Sequence, residues 1–392
     1  MPIVVVAAML VVPQASSAAD GKFATCVAGL EKAAIKAGVS PAVVAEALGT
    51  AQPSERVQSS SRTQPEFKTP IWDYLAFLVD QQRIDDGKAM LRKYDQTLRR
   101  AESRFGVDRH VIVAVWGVES DYGRQVGSHF IPHALTTLAC TGTRRRAFWR
   151  GEIIAALKLV DRGDVPMEKL YGSWAGAFGQ TQFIPSTYQR RAIDFDGDGR
   201  RDLIDSVADA LGSTANYLKH AGWRRDRGWM IEVEVPRGYE GPTGRKTKAT
   251  LSHWARRGVV RADGAKLSGD TQAGLLLLAG PRGPGFLTLR NFDAIYAYNH
   301  ADSYALAIAH LADRIAGEPP FRTPWPTDDP GLSRAERLDL QKLLLARGYD
   351  IGEADGKIGP VTRAAIAEAE KSLGLPPTGR AGRKIYRALR GE

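Results

Sequence analysis

The sequence predicts a mainly α-helical (α+β) protein with a small β subdomain, and three observations support this prediction. Between residue 26 and about residue 218, apolar residues recur every three or four positions, which is typical of helices with one buried face. Short alternating or wholly apolar runs then indicate strands between about residues 224 and 290. After a proline-rich break, the last part of the chain returns to helical spacing in three short segments.

These patterns divide the 392 residues into consecutive parts. An apolar start too short to span a bilayer, followed by Ser17-Ala18-Ala19, predicts a signal peptide, with a buried N-terminal strand as the alternative. A helical main domain, a linker and a small independent module follow. The predicted boundaries are 1–19 for the signal peptide, 20–317 for the main domain with its β subdomain at about 224–290, 318–331 for the Pro-rich linker and 332–392 for the C-terminal module.

Local signals justify the individual elements. The first helical segments end at glycines, as helix C-termini commonly do: Gly38, Gly49, Gly106 and Gly163. Strands are expected in WMIEVEVP, AGLLLLAG and GFLTLRNF, and a helix is expected over residues 303–317, SYALAIAHLADRIAG. The C-terminal module should contain RAERLDLQKLLLARG, PVTRAAIAEAEKSLG and RKIYRALR as its three helices.

The charge balance favours an acidic partner. Lys and Arg number 54 against 44 Asp and Glu, so the formal net charge is +10, which suits nucleic acid, anionic lipid or an acidic wall polymer. We expect an exported, periplasmic monomer without stable membrane insertion, and export argues against nucleic acid as a partner. In an exported protein the two cysteines, Cys26 and Cys140, are expected to form a disulfide, and two unrelated buried thiols are the alternative.

Glu119 is the first candidate for chemistry. It ends a run, residues 111–118, that is apolar on every side and therefore predicts a buried helix, for which Asp108 is a good N-cap. A carboxyl group that closes such a helix is partly desolvated, so its pKa should rise and it could serve as a general acid near neutral pH. A salt-bridged or capping acid is the ordinary alternative for a glutamate in this position.

Two polar, aromatic stretches suit a sugar ligand. GSWAGAFGQTQFIPSTY, residues 172–188, combines glycines, which allow close backbone approach, with flat rings and amide groups that match hydroxyl and acetamido groups. YAYNHADSYA, residues 296–305, adds three tyrosines and an asparagine in the same style, although core packing would also explain its rings. These stretches predict a groove that binds a carbohydrate.

DFDGDGRRDLID, residues 194–205, resembles a calcium loop. Asp194, Asp196 and Asp198 occupy its first, third and fifth positions, a glycine supplies the turn at the sixth, and the Arg200 carbonyl would be the seventh ligand. Asp205 stands at the twelfth position, where the longer Glu is usual. The spacing therefore predicts a structural Ca²⁺ site, with a solvated acidic turn as the alternative.

Together these blocks resemble the lytic murein transglycosylases of the B type, which have a lysozyme-like core. The resemblance spans about residues 23–317 and rests on WGVESDYGR, RRRAFWRGE, GSWAGAFGQTQFIPSTY, DFDGDGRRD, STANYLKHAGW and YN followed by YA. It implies that Glu119 is the catalytic acid. It also implies a glycan groove lined by Ser173, Gln182, Phe183, Tyr217, Tyr298, Asn299 and Tyr304, with Arg145 and Arg146 near the peptide stem. The family's metal loop is longer than twelve residues, so Asp209 could close it instead of Asp205.

The resemblance further implies the reaction. Glu119 alone would act first as acid and then as base on the MurNAc–GlcNAc bond of peptidoglycan, leaving a 1,6-anhydro end without use of a cofactor. A hydrolytic muramidase on the same groove and a catalytically inactive wall-binding protein remain alternatives. DGKIGPVTRAAI, residues 355–366, resembles a three-helix peptidoglycan-binding domain, which would tether the enzyme to its polymer.

Overall fold

The computed structural model describes residues 17–62, 69–225 and 227–392. The predicted signal peptide, 1–19, lies outside the described residues except for its last three, which begin the first helix. No helix in the described part of the chain is long and apolar enough to cross a membrane.

Within these described residues the chain forms seventeen α-helices and seven strands, so it is mainly α-helical as predicted. The helices are α1 Ser17–Lys36, α2 Pro41–Leu48, α3 Glu55–Ser61, α4 Ile71–Leu78, α5 Gln81–Lys93, α6 Asp95–Phe105, α7 Arg109–Ser120, α8 Ile131–Thr141, α9 Arg146–Asp161, α10 Pro185–Arg191, α11 Val207–His220, α12 Leu251–Arg256, α13 Arg290–Asn299, α14 Asp302–Ala316, α15 Arg334–Ala346, α16 Pro360–Ser372 and α17 Arg383–Arg390. The strands are β1 His129–Phe130, β2 Tyr171–Gly172, β3 Met230–Glu234, β4 Lys248–Thr250, β5 Val260–Arg261, β6 Gln272–Leu276 and β7 Gly285–Thr288.

The chain divides into two compact units. The first consists of Met1–Arg62, Gly127–Phe178 and Phe183–Arg190, and the second consists of Thr63–Val126, Gly179–Gln182 and Arg191–Glu392. Inside the first unit, the predicted disulfide between Cys26 and Cys140 is confirmed and joins α1 to α8. Because it closes a loop with a sequence separation of 114, loop entropy assigns it about 5 kcal/mol of stabilisation.

The second unit is built around α7 and α14. Asp108 caps α7 as predicted, since its carboxylate accepts a hydrogen bond of 2.8 Å from the His110 backbone N–H. Every residue from Val111 to Val115 is fully buried, and so is the middle of α14 from Ala305 to Ala309. A helix that is apolar on all sides belongs in the centre of a core, which places residues 111–117 of α7 inside the unit and leaves Glu119 half-buried at its edge.

The β subdomain also belongs to the second unit. Its five strands form one antiparallel sheet in the order β4-β6-β7-β3-β5, and the buried Trp254 of α12 packs in its core. The predicted strand segments contain β3, β7 and all of β6 except its first residue, Gln272, whereas β4, β5 and α12 are additional. With three, two and six residues, these additional elements are too short for a periodic pattern to reveal them.

The C-terminal module has its own small core. Its three predicted helices are confirmed as α15, α16 and α17, which bury Leu340, Leu344, Ile366 and Ile385. The preceding proline-rich segment, 318–331, packs against strands β3 and β7 of the β subdomain. Its Phe321 ring lies 4.7 Å from Phe286 between centroids, and the Arg322 and Thr323 backbone N–H groups donate to Glu232. The domain boundaries themselves stay predictions.

Candidate active site

Glu119 lies in the last turn of α7, half-buried, directly before an unusual change of backbone direction. Asp121 and Tyr122 both have left-handed backbone conformations, with φ of 52° and 59°, and Gly123 follows with φ of 86°. Two consecutive non-glycine residues in this region cost on the order of 1–3 kcal/mol each, so the surroundings must hold them there. We call residues 119–123 the catalytic turn.

A loop around Gln180 holds the catalytic turn from one side. The Trp116 indole N–H donates to the Gln180 side-chain oxygen at 3.0 Å, and the Ser120 hydroxyl donates to the Gln180 carbonyl. The Gly123 N–H in turn donates to the Ser120 hydroxyl at 2.9 Å. A Cβ at Gly123 would stand 2.2 Å from the Gln180 side-chain oxygen, so only glycine fits this position.

Three of the predicted tyrosines form a connected group with Glu119. The Tyr304 hydroxyl donates a hydrogen bond to Glu119 Oε1, and its ring stacks on that of Tyr298 with centroids 6.4 Å apart. The Tyr217 ring meets Tyr298 edge-on at 4.8 Å. Burial and the nearby Glu119 charge raise the pKa of Tyr298 and Tyr304 well above the ordinary tyrosine value. Both phenols therefore stay protonated at neutral pH and act as hydrogen-bond donors.

Gln182 and Asn299 complete the predicted groove residues of the second unit. Gln182 has a left-handed φ of 52°, and its amide donates to the carbonyls of Val126 at 3.0 Å and Gly179 at 2.9 Å. Next to it, the Thr181 carbonyl accepts the hydroxyl of Tyr298 at 2.7 Å. Asn299 is the exposed last residue of α13. The structure thus links Glu119, the tyrosines and the Gln182 loop through a chain of contacts.

The other four predicted substrate residues belong to the first unit. Ser173 shapes its loop, because its hydroxyl accepts the backbone N–H groups of Ala175 and Ala177. Phe183 is only 2% exposed, so its ring supports the loop from inside rather than offering a free face. Arg145 and Arg146 are exposed, and Arg146 donates to the Cys140 and Gly142 carbonyls at the end of α8. Substrate contact by these four residues stays a prediction.

A cluster of charges behind the catalytic turn was not found from the sequence. The Asp121 carboxylate, 8% exposed, receives hydrogen bonds from Arg124 at 3.0 Å and Arg334 at 2.5 Å and lies 3.5 Å from the Arg83 guanidinium. Burial alone would raise the pKa of Asp121, but the Arg124 hydrogen bond and the charges of Arg334 and Arg83 lower it below 3.8. Distances in sequence of up to 213 residues explain why no local pattern predicted this cluster.

The acidic loop, residues 194–209, gathers three of the six predicted metal ligands. Carboxylate oxygens of Asp194, Asp196 and Asp209 lie within 4.8 Å of one another. Two oxygens bound to one Ca²⁺ at up to about 2.6 Å can be no more than about 5.2 Å apart, so this group fits the ion. Asp198 and Asp205 lie outside the group, and the structure therefore favours Asp209 over Asp205 as the closing acid. The Arg200 carbonyl stays a predicted ligand.

A cleft of about 730 Å³ opens at the start of α14. Its walls include the rings of Trp72, Tyr296 and His300, the Arg282 side chain and the turn that precedes Tyr304. Among the described residues, neither Glu119 nor any of the nine predicted substrate residues lines this cleft.

Comparisons with known proteins identify the family of this chain. Residues 22–313 match the family model of the transglycosylase SLT domain, and residues 333–389 match that of a peptidoglycan-binding domain. Membrane-bound lytic murein transglycosylase B from Escherichia coli strain K12 is 37% identical over 246 residues, which make up 62% of this chain and 66% of that relative's length.

Two solved structures are similar over more of the chain. SltB3 from Pseudomonas aeruginosa, solved in complex with NAG-anhNAM-pentapeptide, is 40% identical with a TM-score of 0.74, over 94% of this chain and 99% of that one. The Escherichia coli lytic transglycosylase Slt35, solved in complex with calcium, is 31% identical with a TM-score of 0.66, over 75% of this chain and 92% of that one.

A mainly helical core that matches the transglycosylase SLT domain, joined to a module that matches a peptidoglycan-binding domain, defines an enzyme that acts on glycosidic bonds of peptidoglycan. The chain belongs to the transglycosylase SLT-domain family, as a lytic murein transglycosylase of the B type.

Proposed function

We propose that Glu119 is the single acid and base of this enzyme and that it cleaves the MurNAc–GlcNAc β-1,4 bond to leave 1,6-anhydro-MurNAc ends. This proposal is based on the different surroundings of two neighbouring acids, Glu119 and Asp121. The Glu119 carboxylate accepts a hydrogen bond from the Tyr304 hydroxyl. The Asp121 carboxylate instead forms ion pairs with three arginines and has a structural role. Asp121 is therefore a poor candidate for the second carboxylate that ordinary glycosidases use.

In the proposed reaction Glu119 first donates one proton and later accepts one. Since Tyr304 donates to Oε1 of Glu119, the proton for the leaving group would sit on Oε2. Glu119 gives this proton to the glycosidic oxygen as the bond from that oxygen to C1 of MurNAc breaks. The resulting carboxylate takes the proton of the C6 hydroxyl, and that oxygen bonds to C1. No water is consumed, and Glu119 ends protonated as it began.

The surrounding residues favour this outcome by their hydrogen bonds. Tyr298 and Tyr304 stay protonated, so Tyr304 can stabilise the Glu119 carboxylate formed after proton transfer. The predicted groove residues Gln182, Tyr217 and Asn299 would orient the sugars. Phe183 would only support its loop, because its ring is 2% exposed. Ser173 is a further predicted sugar contact, and Arg145 and Arg146 would meet acidic groups of the peptide stem.

We further propose that the acidic loop binds Ca²⁺ and that the protein is exported to the periplasm. The loop is prearranged for a cation, because the Asp194 carboxylate already accepts the N–H groups of Gly197 and Gly199, and Asp196 accepts the Ser206 hydroxyl. When bound, the ion would supply structural charge compensation rather than chemistry. Export agrees with the Cys26–Cys140 disulfide, which is typical of oxidising compartments.

Digestion of purified peptidoglycan sacculi tests the proposed reaction. Mass spectrometry of the released fragments should show anhydro-MurNAc ends, and a digest in oxygen-labelled water should leave those ends unlabelled. Labelled reducing ends would instead identify a hydrolytic muramidase. Binding to sacculi without any product, equal to that of a Glu119→Gln variant, would identify an inactive wall-binding protein.

A further inference from the structure

The C-terminal module contacts the catalytic core through buried charges. Three aspartates of the core, Asp73, Asp80 and Asp121, are each no more than 8% exposed, and each forms an ion pair with an arginine of the module. Arg334 pairs with Asp80 and Asp121, and Arg380 pairs with Asp73. Since buried carboxylates need a partner, the docked position of the module completes this part of the core.

Arg334 makes the most contacts in this interface. It is the first residue of α15, and its backbone N–H donates to Asp80 at 3.2 Å. Its guanidinium donates to both Asp80 oxygens, at 2.8 and 3.1 Å, and also to Asp121 at 2.5 Å. Asp80 is at the same time the N-cap of α5, where it accepts the Arg83 N–H at 2.8 Å. One arginine therefore joins the starts of two helices to the catalytic turn.

Asp121 connects Arg334 to the helix end that carries Glu119. It ends α7 only two residues after Glu119, and its N–H donates to the Gly117 carbonyl. Its left-handed backbone must be held by its neighbours, and its three arginine partners do so. Arg83 and Arg124 come from the catalytic core, whereas Arg334 comes from the module.

We propose that Arg334 is a positioning residue that sets the catalytic turn through Asp121, so that the docked module contributes to the bond-cleaving step as well as to wall binding. This inference rests on the proposed role of Glu119. A tether alone would raise the local substrate concentration and leave the turnover of soluble fragments unchanged. A positioning residue acts on turnover itself, because small displacements of a reacting group slow the reaction strongly.

The test compares Arg334→Ala with Arg380→Ala on a soluble peptidoglycan fragment. Both variants remove a module arginine from a buried core aspartate, but only Arg334 touches Asp121. We expect Arg334→Ala to lower kcat by about 10- to 100-fold with little change in KM, and Arg380→Ala to keep the wild-type kcat. Equal losses in both variants, or a change confined to KM, would overturn the proposal.

A double-mutant cycle separates positioning from general destabilisation. If Arg334 acts through Asp121, adding Arg334→Ala to Asp121→Asn should lower kcat no further than Asp121→Asn alone, whereas additive losses contradict the proposal. Melting temperatures identify variants that fail to fold. In that event Arg334→Lys is used instead. Lysine keeps the charge but cannot bridge both aspartates with a planar guanidinium, so kcat should fall, though by less than in Arg334→Ala.

Rates are taken from total glycosidic bond cleavage. A wild-type enzyme that produces hydrolytic ends would therefore contradict the proposed product, while the comparison of the two arginine variants still decides the role of Arg334.

Discussion

The catalytic turn and the acidic loop hold their carboxylates in place in opposite ways. In the catalytic turn the left-handed positions hold Asp121 and Tyr122, which only surrounding contacts can keep there. In the acidic loop these positions are Gly197 and Gly199, with φ of 87° and 91° and open space around them. The first turn is maintained by tertiary structure, and the second follows from its own sequence.

The two turns also differ in the charges that surround their carboxylates. Arginines surround Asp121 and lower its pKa against the effect of burial. In the acidic loop, Asp209 accepts backbone N–H groups of Phe195, Asp196 and Asp202, and burial together with the Asp196 charge raises its pKa. The Asp121 charge is thus compensated by arginines, whereas Asp209 is held by backbone N–H groups with the like charge of Asp196 beside it, an arrangement that a bound cation would relieve.

The largest effect is expected at Glu119. Glu119→Gln keeps the shape of the side chain but removes the proton donor, so sacculus digestion should slow by about 10²- to 10⁴-fold. Asp205→Asn, an exposed acid of the acidic loop, is the matched control and should digest at the wild-type rate. If Glu119→Gln retained most of its activity, with a normal melting temperature, the reactive acid would have to be sought elsewhere.

A loss of stability is expected at Asp121. Asp121→Asn leaves the guanidinium of Arg83, which is 4% exposed, without its charge partner in this turn, and should cost about 3 kcal/mol in urea unfolding at pH 7. The pKa of Asp121 is lowered in the folded state, so its contribution is present above about pH 4 and is lost as the pH falls through the folded value. The difference between variant and wild type should therefore shrink in acid.

Asp95→Asn provides the control for Asp121. Asp95 is 44% exposed and pairs with the exposed Arg99 and with Arg109, which is 24% exposed, so its removal should change the free energy of unfolding by about 1 kcal/mol or less. Equal losses in the two variants would mean that the arginines around Asp121 do not stabilise the catalytic turn.

Local features of the sequence predicted most of the fold. The N-cap Asp108, the apolar run before Glu119 and the three helices of the module all appear as expected, because each depends on neighbours within a few turns. Residues 71–105 form three helices, α4, α5 and α6, although helical spacing continues up to Gly106. Asp80 lies at the first break and caps α5, as Asp commonly does at helix N-termini.

The site was predictable only in part. Glu119 and the tyrosines stand in recognisable motifs, whereas the bond between Asp121 and Arg334 depends on the tertiary fold. The same limit explains the acidic loop, where spacing identified Asp194 and Asp196 but could not choose between two closing acids until the start of α11 placed Asp209 beside them.

The smallest effect is expected for substitution of the two acids that could close the calcium loop, Asp205 and Asp209. With Ca²⁺ at about 100 times its Kd, binding should stabilise the wild-type protein by about 2.7 kcal/mol, and excess chelator should abolish the corresponding rise in melting temperature. Asp209→Asn should lose most of this calcium-dependent shift, whereas Asp205→Asn should keep it, because only Asp209 shares the group with Asp194 and Asp196. Comparing melting temperatures with and without calcium for each variant cancels any direct effect of the substitution on the apo protein. A wild-type melting temperature that chelator leaves unchanged would show that the acidic loop holds its carboxylates together without an ion.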